Sequence, residues 1–349
     1  MRSKDLKLRR LHVSDAPMLK EAGVFSGSNA SMENEIRKIN SDDSVYSYVV
    51  LTSDDSFVAF SYLNPMGMSR ASYLLNLFTA DDSQIKKTLD IIVYHMLIEK
   101  HIHKIELIIE YDDHITEQAA TELGFVQISV MADEIPLSDG SFKDAGMFSL
   151  VLPDYKGYNV GFLAFQRGVT AVYGTNDHID KLKVFHYGDE PKDYLTKTVA
   201  QAVGILDAEQ RFLPRNSEEY FDLDNSFLPS EVEKAVDQLS EYFIKKRDTF
   251  DIKVEFNDCT PFQKEVWNAL CSIPYGKTVS YEDIAEMIDK QKARKLTRAV
   301  GAACGDNPVP IIVPCHRVIG KDGKLVGYSL GVDIKDFLLQ HESGFMTII

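Results

Sequence analysis

Apolar residues recur with two different periods along the first 152 positions. Alternation marks strands at Leu6–Val13, Tyr46–Thr52, Phe57–Leu63 and Ser72–Thr79, with Asp54-Asp55 as the turn between the second and third. Ser14 and Asp15 are helix-start signals before helical stretches at Ala16–Ala22 and Ser31–Ile39. In Ser83–Lys100 the apolar residues Ile85, Leu89, Ile92, Met96 and Leu97 fall on one side of a helix. Lys104–Glu110 then reads as a strand, Ile115–Leu123 as a helix, and Phe125–Met131 and Met147–Leu152 as two further strands.

From 153 to 254 the pattern changes to that of a smaller α/β unit. Gly161–Phe165 and Val169–Gly174 alternate as strands around an Arg167-Gly168 turn, and helical spacing follows near Ile179–Val184, Leu195–Ile205 and Ser230–Lys246. His178 and His186 read as surface residues, and Pro153–Tyr158 and Thr249–Thr260 as linkers. Three helices are predicted beyond the second linker. Pro261–Ile273 places Phe262, Val266, Trp267 and Leu270 on one face. Pro274-Tyr275-Gly276 turns the chain, and Ser280 caps a helix through Ile288, with Asp283 in the capping-box position. Leu296–Gly305 is a helix rich in small residues, Ala299, Gly301, Ala302 and Ala303. Such a pair fits a helix-turn-helix that lays a small face on another surface, or simply two tightly packed helices. The domains expected are 1–152, 153–254 and 255–349.

Charge first argues against a nucleic-acid partner. The 349 residues carry 38 basic and 53 acidic side chains, a net −15, and DNA affinity rests largely on neutralising phosphates. Counted by region the picture changes: 14 against 23 in 1–150, 13 against 18 in 151–254, and 11 against 12 in 255–349. The last region also holds Lys290–Arg298, KQKARKLTR, with five basic residues and no acidic one. No run of 18 apolar residues suggests a membrane span, and the basic N-terminus has no apolar core behind it, so a cytoplasmic protein is expected.

The four cysteines, Cys259, Cys271, Cys304 and Cys315, all lie in the last region without C-x-x-C or Cys/His metal spacing, so neither a disulfide framework nor a metal is expected. Cys315 stands out. It follows an apolar run and is flanked by Pro314 and His316, whereas an inert structural cysteine sits among apolar residues. A neighbouring base favours the nucleophilic thiolate.

IPYGKTVSY, RAVG, NPVPIIVPCHRVIG and GYSLG followed by KDFLLQHE, in that order, resemble the O6-alkylguanine-DNA alkyltransferases, the methylated-DNA–protein-cysteine methyltransferases. The resemblance extends over the middle unit, from about residue 155 to the end. It implies that Cys315 is the alkyl acceptor, that His316 and Glu342 activate it through a water, and that Asn307 braces the turn. It further implies that Tyr281 lies beside a flipped base and that Arg298 fills the gap the base leaves. Ala299, with Thr297, Ser280 and Lys295, would meet DNA, and Val318, Pro310, Tyr328, Ser329, Leu330 and Gly331 would wall the pocket. Leu330 stands where the family commonly has Gly or Trp, and the connection from Tyr281 to Arg298 is longer than common through Lys290–Lys295.

The function so implied is direct DNA repair: one irreversible transfer per molecule from O6-alkylguanine, and from O4-methylthymine if the pocket admits it, in double-stranded DNA. No cofactor, metal, membrane or stable protein partner is implied. The element order of 1–152, ending in Leu123-Gly124-Phe125, resembles the GNAT acyltransferases. Their Gly-rich acyl-CoA turn corresponds here to Ala80–Lys86, which has no glycine and two carboxylates, and Ala120 stands where a tyrosine acid is frequent. A degenerate GNAT-like domain is therefore expected. The fold class expected is a multidomain α/β and α+β chain. Two other readings remain, a bifunctional acetyltransferase–alkyltransferase and a non-reactive module that binds alkylated DNA.

Overall fold

A computed structural model describes residues 6–24, 27–66, 72–79, 82–136, 140–214, 228–257, 259–325 and 327–343. The chain divides into two compact units, 1–158 and 159–349.

The first unit is one mixed sheet with helices. Its elements are β1 (Leu6–Arg10), α1 (Ala16–Glu21), α2 (Asn29–Ser41), β2 (Tyr46–Thr52), β3 (Phe57–Met66), β4 (Ser72–Thr79), α3 (Ile85–Tyr94), β5 (Lys104–Glu110), α4 (His114–Glu122), β6 (Val126–Pro136) and β7 (Phe142–Val151). The strands lie in the order β1-β2-β3-β4-β5-β7-β6. Only β4 and β5 run parallel, paired from Ser72–Lys104 to Leu75–Leu107, because α3 carries the chain across between them. Asp55 turns β2 into β3 with φ 66°. β6 and β7 are longer than the alternation predicts, since register shifts after Gln127 and Met131 interrupt its period. The element order follows the one the GNAT resemblance implies. Ala80 and Asp81 of the corresponding turn lie outside the described residues.

The second unit opens with an antiparallel sheet, β8 (Asn159–Phe165), β9 (Gly168–Gly174) and β10 (Ile179–Phe185). Here Ile179–Val184 is a strand and not the helix its spacing suggests. A register shift between Ile179 and Lys181 lets Ile179 and Leu182, three residues apart, both reach the core, which imitates a helical period. His178 is also not at the surface. It is 3% exposed, with Nε2 3.6 Å from Glu255. Helices α5 (Tyr194–Ala202) and α6 (Ser230–Phe243) follow. Gly161 admits α6, because a Cβ there would come within 2.8 Å of Val236 and of Leu228.

Residues 249–257 do not hang free as a linker. Ile179 donates its N–H to Lys253, and Glu255 donates to Ile179. Helix α7 (Pro261–Leu270) starts at a Thr260–Gln263 capping box, and Trp267 donates Nε1–H to Ala303 O at 2.7 Å. Helices α8 (Tyr281–Ile288) and α9 (Ala293–Gly305) complete the helix-turn-helix. The Ser280–Asp283 capping box forms as expected. Helix α9 begins three residues before the expected Leu296, so Ala293–Lys295 of the basic segment are helical and only 289–292 form the turn. Two short parallel strands, β11 (Val279–Ser280) and β12 (Val318–Ile319), tie the start of α8 to the residues after the PCHR motif. The last helix is α10 (Val332–Ser343). One hydrophobic core runs from Leu163 and Val172 in the sheet through Trp267 and Val300 to Leu338. Among the described residues no helix is long and apolar enough to cross a membrane.

Candidate active site

Three separate segments converge on Cys315. Residues 308–314 form a tight loop in which Val313 N donates to Val309 O and Ile311 takes φ 75°. That left-handed backbone costs a β-branched residue about 1–3 kcal/mol. Asn307 holds the loop in place: its Nδ2 donates to Val313 O at 2.8 Å and its Oδ1 accepts from Val309 N at 3.1 Å. The same Nδ2 lies 3.0 Å from Cys315 Sγ. The expectation for Asn307 thus has a geometric basis, a brace that also donates to sulfur.

Cys315 is 2% exposed. Burial pushes its thiol pKa up, and the Asn307 hydrogen bond, the Lys335 charge and the nearby Tyr328 hydroxyl pull it back. At neutral pH a thiol so placed keeps its proton until a base takes it. His316 is fully buried, and its Nε2 lies 2.8 Å from Glu342 Oε1. Arg317 grips the same carboxylate, with Nε 2.9 Å from Oε2 and Nη2 2.9 Å from Oε1. Gly276 N donates to Oε2 and Tyr242 Oη to Oε1. Burial alone would raise the Glu342 pKa, but the His316 and Arg317 hydrogen bonds outweigh it and bring it down to about 2. A carboxylate held ionised can only accept, so Nε2 carries the His316 proton and Nδ1 keeps its lone pair. Burial lowers the His316 pKa against the pull of Glu342, and the ring is neutral at pH 7. Nδ1 itself is buried and makes no hydrogen bond with the described residues.

The thiol opens onto a cavity of about 440 Å³ lined by Tyr281, Thr297, Arg298, Gly301, Cys304, Gly305, Cys315, Gly327, Tyr328 and Ser329. The β11–β12 pairing brings Tyr281 to this wall, and burial pushes its pKa up to about 12, so its hydroxyl stays a donor. Of the six residues expected on the wall, Tyr328 and Ser329 line the cavity; Val318, Pro310, Leu330 and Gly331 do not. Val318 and Pro310 are buried, Leu330 packs on the core, and Gly331 N closes the turn onto Tyr328 O.

Outside the mouth, α9 shows Lys295, Arg298, Ala299 and Ala302 exposed, with Thr297 half-buried. The small residues split by face: Ala303 packs inward, whereas Ala299 and Ala302 lie at the surface, so tight helix packing does not account for them. Ser280 is occupied by its capping role. Lys292 pairs with Asp289, and Arg294 lies 3.8 Å from Glu282, which also holds Lys321.

Sequence reasoning missed three residues here. Arg317 was within reach: an arginine inside an apolar run needs a buried counter-charge. Lys335 is fully buried on α10, donates to Val318 O at 2.6 Å, and lies 5.8 Å from the Tyr328 ring and 5.9 Å from that of Tyr281. Tyr242 lies 100 positions from its partner, and no local signal marks it.

A comparison with known families falls on this region. The family model for the 6-O-methylguanine DNA methyltransferase DNA-binding domain matches residues 261–344. The methylated-DNA–protein-cysteine methyltransferase of Methanosarcina acetivorans is 53% identical over 109 residues, 31% of this chain and 67% of that protein. The chain spans about two thirds of the length of the curated relatives it matches. The crystal structure of Mycobacterium tuberculosis O6-methylguanine methyltransferase resembles 54% of this chain and 93% of its own at 33% identity, with a TM-score of 0.39. A spermidine N-acetyltransferase SpeG chimera from Vibrio cholerae and hSSAT resembles 42% of this chain and 96% of its own at 16% identity, also with a TM-score of 0.39. Identity above one half over 109 residues, covering two thirds of the relative, reflects common descent, and the chain belongs to the methylated-DNA–protein-cysteine methyltransferase family.

Proposed function

We propose that this chain repairs O6-alkylguanine in double-stranded DNA by taking the alkyl group once onto Cys315. The observation that carries the reading is a buried thiol, beside a histidine held by an ionised glutamate, opening onto a cavity under an exposed helix face. The damaged carbon is out of reach inside the base stack, so the nucleotide is turned out into the cavity. Ala299 and Ala302 let the α9 backbone approach the groove, and Arg298 at the mouth takes the place of the extruded base. Lys295 and Thr297 meet the backbone.

His316 Nδ1 accepts the thiol proton, through a water. The sulfur then bonds the alkyl carbon as the carbon–O6 bond breaks. Guanine leaves with the bonding electrons and is met by the Tyr281 hydroxyl. The thioether product is stable, so each molecule acts once. A mass spectrum after incubation with methylated duplex tests this: one added methyl on the peptide containing Cys315, at a 1:1 limit, is expected, and an unchanged mass refutes it.

Arg298→Ala is expected to slow transfer from duplex about tenfold, on the scale of one unstacking penalty, and to slow transfer from single-stranded DNA less. Rates on the two substrates check this. For the first unit we propose a degenerate GNAT-like domain, supported by the missing glycines and by Ala120. Acetyl-CoA titrated into the full chain in a calorimeter is expected to give no binding heat.

A further inference from the structure

Tyr242 lies on α6, far in sequence from every residue of the acceptor site. Its side chain is fully buried, and its hydroxyl donates to Glu342 Oε1 at 2.8 Å. That oxygen is the one His316 Nε2 reaches, also at 2.8 Å. Phe250 and Tyr275 pack on its ring at centroid distances of 5.4 and 6.0 Å, and His341 at 5.0 Å. The hydroxyl is therefore held in place by packing as well as by its hydrogen bond. The backbone is tied down too, since His341 Nε2 lies 2.9 Å from Tyr242 O.

We propose that Tyr242 is a positioning residue for the transfer reaction, setting the basicity of His316 by sharing the Glu342 oxygen on which the imidazole rests. The inference rests on the proposed role of His316 as the base for Cys315. The physical argument is one of charge sharing. Each donor on a carboxylate spreads its negative charge and weakens what remains for the others. With Tyr242 in place, Glu342 orients the ring without making it strongly basic. Without the hydroxyl, more of the charge on Oε1 falls on His316 Nε2–H, and the imidazolium becomes easier to form.

The other charged or titratable groups facing this cluster are Arg317 and Cys315 from the PCHR turn, Tyr328 from the turn before α10, Lys335 and His341 from α10, and Tyr275 from the loop after α7, with Lys245 and Asp248 after α6 acting on His341 and Tyr275. Arg317 and Lys335 disfavour the imidazolium, and both remain in a Tyr242 variant. Glu342, with its two firm Arg317 contacts, stays ionised. The change thus falls on the histidine.

Transfer needs His316 unprotonated, so the rate falls on the acid side as the imidazole gains its proton. In Tyr242→Phe the midpoint of that acid limb is expected to rise by about half a pH unit, equal to about a threefold loss on the limb. A purely structural role would lower the whole profile and leave the midpoint where it was. 3-Fluorotyrosine at position 242, a stronger donor of nearly unchanged shape, is expected to move the midpoint down, and serves if the phenylalanine variant does not fold. The profile is read twice, by methyl transfer from DNA and by iodoacetamide alkylation of Cys315, which needs no DNA. A midpoint unmoved or moved the other way in both readouts overturns the inference. A wild-type chain that alkylates with iodoacetamide yet takes no methyl from DNA refutes the repair function instead, and the iodoacetamide profile still decides the role of Tyr242.

Discussion

Cys315→Ser is expected to take up no methyl from alkylated duplex while still binding it. The substitution keeps the shape of the side chain and the Asn307 donor 3.0 Å from it, so the cavity and the α9 surface stand. What is lost is the nucleophile. A thiol ionises near pH 8.5 and is intrinsically reactive, whereas a hydroxyl beside a neutral imidazole is a far weaker attacking group towards a saturated carbon. Mass spectrometry is expected to show the unmodified chain after prolonged incubation, and a gel shift to show a lasting complex with methylated duplex. Methyl incorporation in the serine variant would place the acceptor elsewhere, with Cys304 on the same cavity as the first residue to examine.

Glu342→Gln is expected to damage both stability and transfer. The carboxylate is buried and takes hydrogen bonds from Arg317, His316, Tyr242 and Gly276. An amide keeps the volume but leaves the buried Arg317 guanidinium without its counter-charge. Breaking a buried pair in this way costs about 3–5 kcal/mol. Denaturant unfolding of the two chains side by side measures it. The amide can also present its NH2 group towards His316, which favours the wrong tautomer and removes the lone pair from Nδ1. Transfer is expected to fall more than a hundredfold at pH 8, on the scale of other base-and-orienter pairs.

The same carboxylate sets an acid limit on stability. Its folded pKa of about 2 lies below its unfolded value, so it contributes stability that is fully present above the unfolded pKa. That contribution, about 3 kcal/mol, is lost as pH falls from about 5 towards 2. Unfolding free energy in the wild type is expected to drop over that window, and to drop less in Glu342→Gln.

The charge count changes meaning once the chain is divided by region. The acidic excess belongs almost wholly to residues before 255. The exposed part of α9 carries Lys295 and Arg298, with no ion pair for either among the described residues. Duplex binding is expected to be modest and salt-sensitive, with selectivity coming from the flipped base and the cavity.

The candidate site was legible in the linear chain because it lies in short segments whose local rules are strong. Cys315 and His316 are adjacent, and the Ser280–Asp283 cap of α8 acts within three positions. Alternation likewise marked most strands of the first unit. It misled at Ile179–Val184, where a bulge changes the period, and at β6, where two register shifts hide the strand's length.

By itself, then, the sequence singled out Cys315, the neighbouring candidate base His316 and a small-residue helix, since each follows from residues a few positions away. Only the tertiary structure decided the electrostatics of that base. Glu342 is held ionised by His316 and Arg317, and it also accepts from Gly276 and from Tyr242, the last on a helix 100 positions away. Hydrogen bonds and desolvation act over a few ångströms of space, whatever the distance along the chain. No periodicity records which distant groups will share that volume.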